Sequence, residues 1–118
     1  SWGCYGTSLP GADGTAIGTG AQNTIDIEAG CSTAGTAADI CANLVLSGYT
    51  DWFLPSKDEL DMMYVNLHMQ GLGGFGGSGH WSSTEGDNGN AWNQVFNPGF
   101  QVTNFKDVNA YVRAVRAF

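Results

Sequence analysis

The sequence predicts a loop-rich α+β domain in which two helices pack on a mainly antiparallel, twisted sheet. Glycine accounts for 18 of 118 residues, about twice the usual share, which demands many turns and unusual backbone angles. Sustained helical periodicity is confined to the stretch between residues 36 and 69. Beyond residue 79 the pattern changes to short runs rich in aromatic and β-branched side chains, separated by Gly, Asn, Pro and Asp. The length and the 42% hydrophobic content fit one domain over residues 1–118.

Residues 1–36, rich in Gly, Thr, Ala and Ser, read mostly as loop. Residues 23–29 are ambiguous and lean to helix: Ile25 and Ile27 alternate as in a strand, yet the stretch equally suits two helical turns. Thr36 as N-cap and Asp39 in the first turn open the first clear helix, with Ile40, Cys41, Leu44 and Val45 as its apolar stripe and Gly48 as its stop. Residues 49–54 read as extended, because Pro55 biases its predecessor away from helical angles. Ser56 and Glu59 form a capping box, and Leu60, Met63, Tyr64 and Leu67 follow at i, i+3, i+4 and i+7, so a second helix runs to about Met69. Met62, Met63 and Met69 read as core filler rather than a soft-metal site.

Residues 71–79 hold six glycines and read as a loop; they are followed by His80 and Trp81, not by the Lys and Ser or Thr of a phosphate loop. Four strands are then expected, over 80–85, 91–96, 100–105 and 111–118, as an antiparallel meander. Trp52 and Trp81 are the expected core anchors. No internal repeat marks a solenoid.

Charge and hydropathy exclude several functions. No window approaches the roughly 18 consecutive apolar residues of a membrane span. A net charge of −7 gives the counterion-release contribution the wrong sign for nucleic acid. The four basic residues, Lys57, Lys106, Arg113 and Arg116, all lie in the second half, and Arg113 and Arg116 are expected to pair with acids such as Asp58, Asp61 or Glu85. Three cysteines and two histidines at no zinc spacing exclude a structural zinc site. Cys41 lies on an apolar helix face, which leaves Cys4 with Cys31 as a disulfide in an oxidising compartment; Cys31 with Cys41 stays open. The chain opens on Ser1 without a basic and apolar leader, as expected of a mature product or a cut-out domain.

Four motifs occur in order: Gly-Tyr-Thr-Asp-Trp-Phe-Leu-Pro-Ser-Lys-Asp-Glu-Leu over 48–60, His-Trp-Ser-Ser-Thr-Glu over 80–85, Ala-Trp-Asn-Gln-Val-Phe over 91–96 and Tyr-Val-Arg-Ala-Val-Arg over 111–116. Together they resemble the C-terminal domain of Legionella collagen-like proteins, a bacterial surface domain of unknown function. The resemblance implies a C-type-lectin-like fold, an extracellular or cell-surface location, and adhesion or ligand display rather than catalysis. Members usually carry a first strand or hairpin ahead of the position where Ser1 stands, so a vacant sheet edge is expected, open to strand complementation by a second copy. The sulfated polysaccharides associated with the collagen-like relatives are not carried over, because a charge of −7 repels them.

No Ser-His-Asp or Cys-His arrangement supports catalysis, and the paired cysteines of the formylglycine-generating enzymes, which share the broad fold, have no counterpart in the C-terminal half. The first functional expectation is an adhesive or self-assembling filament subunit whose main partner is itself. The second is a lectin-like module for a glycan or surface protein. For the latter, Glu85, Asp87, Asn88 and Asn90 are the candidate calcium ligands, since calcium takes six to eight oxygens. This stretch is similar to the calcium loop of C-type lectins but lacks their Glu-Pro-Asn and has Gln94 where they carry Asp. Trp92, Asn93, Gln94, Asn97, Gln101 and Asn104 are the candidate ligand-binding residues, in the meander that retroelement-diversified relatives use as a variable face. Asn109 belongs to the same stretch.

Overall fold

The computed structural model describes residues 1–74 and 78–117. Residues 75–77, inside the expected glycine loop, and Phe118, the end of the expected closing strand, lie outside the described residues. The chain is an α+β domain: helices α1 (Gly20–Gly30), α2 (Ala37–Ala42) and α3 (Lys57–Asn66), a 3-10 turn (His68–Gln70), and strands β1 (Gly79–Glu85), β2 (Asn90–Val95) and β3 (Phe100–Phe105) in one antiparallel sheet of order β1-β2-β3.

The helix expected from the leaning stretch is α1, so three helices stand where two clear ones were expected. Its buried stripe is Gly20, Asn23, Thr24 and Ile27, while Ile25 is exposed. This inward face is largely polar, which hid its period from a hydrophobicity pattern. Asn23 Nδ2 donates to Gly14 O (2.7 Å) and Thr24 Oγ1 accepts from Leu54 N (3.0 Å), so the stripe is built on hydrogen bonds.

α2 stops at Ala42 rather than near Gly48. Ser47 and Gly48 both take positive φ (55° and 81°) in a tight turn where Leu46 and Tyr49 exchange backbone hydrogen bonds, which removes these residues from the helix. The expected stripe is also corrected: Ala37, Ala38 and Cys41 are buried, whereas Ile40 and Val45 are exposed. Thr36 holds the N-cap position, but its buried Oγ1 caps nothing.

In α3 both halves of the capping box are present: Ser56 Oγ accepts from Glu59 N (3.3 Å) and Glu59 Oε1 from Ser56 N (2.8 Å). The Glu59 carboxylate also accepts from Gly20 N and Gly18 N (both 3.1 Å), joining the starts of α1 and α3. Any Cβ on Gly20 would collide with Glu59 Oε1.

The fourth strand is replaced by two isolated bridges, Tyr111 with His80 and Val115 with Phe53. The outer edge of β1 is shared among three segments: Trp81 N donates to Tyr111 O (2.9 Å), Ser83 N to Pro55 O (2.7 Å) and Glu85 N to Ala12 O (2.7 Å). A continuous ladder along 111–117 has no edge to occupy. These contacts close the β1 edge of the sheet.

The main core gathers Trp2, Ile27, Cys41, Leu54 and Trp81, and a smaller cluster sets Leu60 against Phe96. Trp81 is an anchor as expected, but Trp52 is only half-buried and Trp2 fills the other anchor place, its Nε1 donating to Ser82 O (2.8 Å). Cys4 and Cys31 form the disulfide, and Cys41 is free and buried. No helix among the described residues is long and apolar enough to cross a membrane.

Candidate functional site

The acidic oxygens of the expected calcium turn are engaged in hydrogen bonds within the protein. Glu85 is nearly buried, and its Oε2 accepts from Lys106 Nζ (2.9 Å) and Leu9 N (2.8 Å), while Oε1 accepts from Ser8 Oγ (3.2 Å). Asp87 Oδ1 folds back to accept from Gly89 N and Asn90 N (both 2.8 Å) and from Asn90 Nδ2 (3.1 Å), and these bonds hold its carboxyl below the usual carboxylate range. These oxygens close the β1–β2 turn and the sheet end. Asn88 contributes its backbone O to Gly6 N (2.8 Å). Among the described residues no three His, Cys, Asp or Glu side chains stand close enough to hold a metal ion.

The expected ligand-binding set is divided between the two sheet faces. Alternation along β2 and its register with β3, which pairs Gln94 with Gln101 and Ala91 with Asn104, put Trp92, Gln94 and Gln101 on one face and Asn93 and Asn104 on the other. α3 covers the first face: Gln101 Nε2 donates to Lys57 O (2.8 Å) and Lys57 Nζ lies 4.1 Å from the Trp92 ring centre. Trp92 is therefore half-buried under a lysine, and Gln94 is fully enclosed. Asn97 sits exposed in the β2–β3 turn.

On the opposite face a cavity of about 320 Å³ lies between the sheet and residues 108–111. Asn93 and Asn104 line its sheet side, with Ser78, Asn109 and Tyr111 around it. Asn93 is only 2% exposed, yet among the described residues neither Oδ1 nor Nδ2 has a hydrogen-bond partner. Leaving such groups unmet costs about 1–3 kcal/mol each. Gly79 makes room for this amide, because a Cβ there would collide with Asn93 Oδ1. Asn93 and Asn104 were legible as candidates in the sequence; Tyr111 and Ser78 were not, because they reach the cavity through a chain crossing that no local pattern records.

Two further features are open to partners. Trp52 is shared by two grooves, one of about 520 Å³ lined by Ile25, Glu28 and Phe53 among others, and one of about 460 Å³ that includes Tyr49 and Arg116. Arg116 is committed there, pairing with both oxygens of Asp51 (2.8 and 3.1 Å) and lying 3.6 Å from the Tyr49 ring centre, in place of the expected acids. Desolvation and then the nearby Asp39 carboxylate raise the Glu28 carboxyl above its ordinary value. The second feature is the outer edge of β3. From Phe100 to Asn104 its backbone bonds only to β2 among the described residues, and Phe100 and Phe105 at its ends are 49% and 57% exposed.

His80 is the most buried histidine position described, its ring tilted against Phe96 and Tyr111 with ring centres 4.7 and 5.6 Å away. Burial pushes its pKa below the ordinary value, against a hydrogen bond to Ser78 O (3.1 Å) that raises it.

No protein-family model, curated protein or solved structure matches the chain. The class these observations define is a disulfide-linked α+β domain with one sealed and one open sheet edge.

Proposed function

We propose that the chain is a non-catalytic, self-assembling module of an extracellular bacterial surface, in the C-type-lectin-like class its motifs suggest, with a second copy of itself as partner. The observation that carries this reading is the open edge of β3. Its sequence, Phe-Gln-Val-Thr-Asn-Phe, has six residues without charge, proline or glycine, the composition that favours strand-on-strand pairing. An antiparallel meeting of two β3 edges is a two-fold, self-complementary contact and would join two three-stranded sheets into one. The disulfide supports an oxidising, extracellular setting. Hydrogen exchange at rising protein concentration tests the edge: β3 amides should gain protection while those of α1 stay constant. Uniform exchange of β3 at every concentration would remove the self-assembly reading.

The Trp52 grooves favour a second reading, adhesion to a protein segment that presents an apolar side chain beside Lys or Arg. Glu28 lines the groove and is crowded by the nearby Asp39 carboxylate, and a cation entering the groove would relieve it. A lysine–leucine peptide titrated into the protein should then bind the native chain and lose affinity with Trp52→Ala, while the same peptide with Glu for Lys should not bind.

A further inference from the structure

We propose that the cavity between the sheet and residues 108–111 is a binding seat for a neutral, polyhydroxylated small molecule, a sugar ring. This inference is independent of the self-assembly reading, because the cavity opens on a sheet face and not on the β3 edge.

The argument begins with Asn93. A buried primary amide carries two donor hydrogens and an acceptor oxygen, and the large majority of such groups in folded proteins are hydrogen-bonded; Gln94 is also unmet among the described residues, but only Asn93 lines a cavity. Here both ends are unmet, and the residue lines a cavity large enough to admit a partner. Gly79 leaves space for the amide over the strand, because a Cβ there would collide with Asn93 Oδ1. Asn104 adds a second amide on the same sheet face, in the Ala91–Asn104 pair two residue pairs along the ladder from Asn93–Val102. Asn109 Oδ1 accepts from Ser1 N (3.3 Å), which leaves its amide nitrogen as a further donor.

The chemistry of the lining selects the ligand. Among the described residues no acidic or basic side chain belongs to it, so nothing described in it rewards a carboxylate, phosphate or ammonium. Amides that donate and accept side by side suit vicinal hydroxyls, which do the same. Val95, Val108 and the Tyr111 ring supply the apolar surface that the C–H face of a sugar requires. At about 320 Å³ the space is at the small end of ligand pockets, which run from about 300 to 1,000 Å³, so it suits one ring rather than a chain. A shallower hollow of about 310 Å³ lies against the same residues, Asn109 to Tyr111, and offers a neighbouring ring a place beside the 62% exposed tyrosine.

The test is a titration of the native chain with glucose, galactose, mannose, N-acetylglucosamine and, as the charged control, glucuronate, followed by amide chemical shifts. The expected result is a saturable change at Gly79, Asn93, Asn104 and Tyr111 with at least one neutral sugar, and a Kd of about 1 mM or tighter. Tyr111→Ala and Asn104→Ala, both outside the buried core, should each weaken it about tenfold, and Asn93→Leu should abolish it. No saturable response to any neutral sugar, a response to glucuronate alone, or full binding by folded Tyr111→Ala and Asn104→Ala would each overturn the proposal. A folded Asn93→Leu that is more stable than the native chain and leaves sugar titrations unchanged would reduce the cavity to a packing defect.

Discussion

Lys106 has no exposed side-chain surface, and its ammonium lies 2.9 Å from Glu85 Oε2, so an ion pair inside the protein closes the end of the sheet where β1 and β3 finish. The same ammonium donates to Thr7 O (2.8 Å) and lies 4.8 Å from the centre of the Trp2 ring. The Lys106 carbonyl accepts from Trp2 N and Gly3 N (2.9 and 3.2 Å). One residue thus ties the glycine-rich opening of the chain to the sheet.

Removing the lysine leaves Glu85 as an uncompensated buried charge. Lys106→Met should lower stability to urea unfolding by about 3–5 kcal/mol, and adding Glu85→Gln should recover part of that loss. Because the Glu85 carboxylate is already spent, calcium and a chelator should give the same melting temperature in the native chain.

Cys4 and Cys31 are 27 residues apart, and loop closure of that length stabilises by about 3–4 kcal/mol in the chain-entropy account. Cys4→Ser should lower the urea stability by that amount. Cys41 should behave oppositely to an exposed thiol: burial pushes it up to about 12, so iodoacetamide at neutral pH should label it only once denaturant opens the core.

How much of this was legible depends on which physical signal each element carries. The capping box at Ser56 and Glu59 and the i, i+3, i+4 pattern behind it fixed α3, because both signals are local. The α+β class followed from the change of period near residue 79. α1 was harder, since Asn23 and Thr24 point inward to hydrogen bonds while Ile25 faces out. The tight turn at Ser47 and Gly48 beyond α2 depended on a left-handed Ser47, and the lost fourth strand on Pro55 and Ala12 taking β1 edge positions from afar. In the site, Asn93 and Asn104 could be named from sequence, but their separation from Gln94 and Gln101 needed the register.

His80 gives the fold an acid-side weakness. An unfolded histidine titrates near 6.5 and the buried one lower, so the unfolded chain binds more protons as pH falls through 6.5. The sign follows directly: stability contributed by neutral His80 is complete above that pH and is lost below it, until the folded pKa is passed. Denaturant melts at stepped pH should therefore steepen below 6.5, and a folded His80→Gln variant should flatten that step.

A net charge of −7 on each copy opposes association. Raising the salt from about 10 mM to about 150 mM shortens the screening length from about 30 Å to about 8 Å. Self-association should therefore strengthen with sodium chloride, as read by light scattering; an interface built on opposite charges would weaken.

The most direct test of self-assembly is sedimentation velocity on the native chain beside Thr103→Lys, at matched concentrations. Thr103 is exposed in the middle of β3, so the lysine places a charge on the open edge without altering the backbone bonds to β2. Self-assembly through β3 predicts a concentration-dependent rise in sedimentation coefficient for the native chain and a monomer for Thr103→Lys. A native chain that sediments as a monomer at every concentration, or assemblies that Thr103→Lys leaves intact, would contradict it.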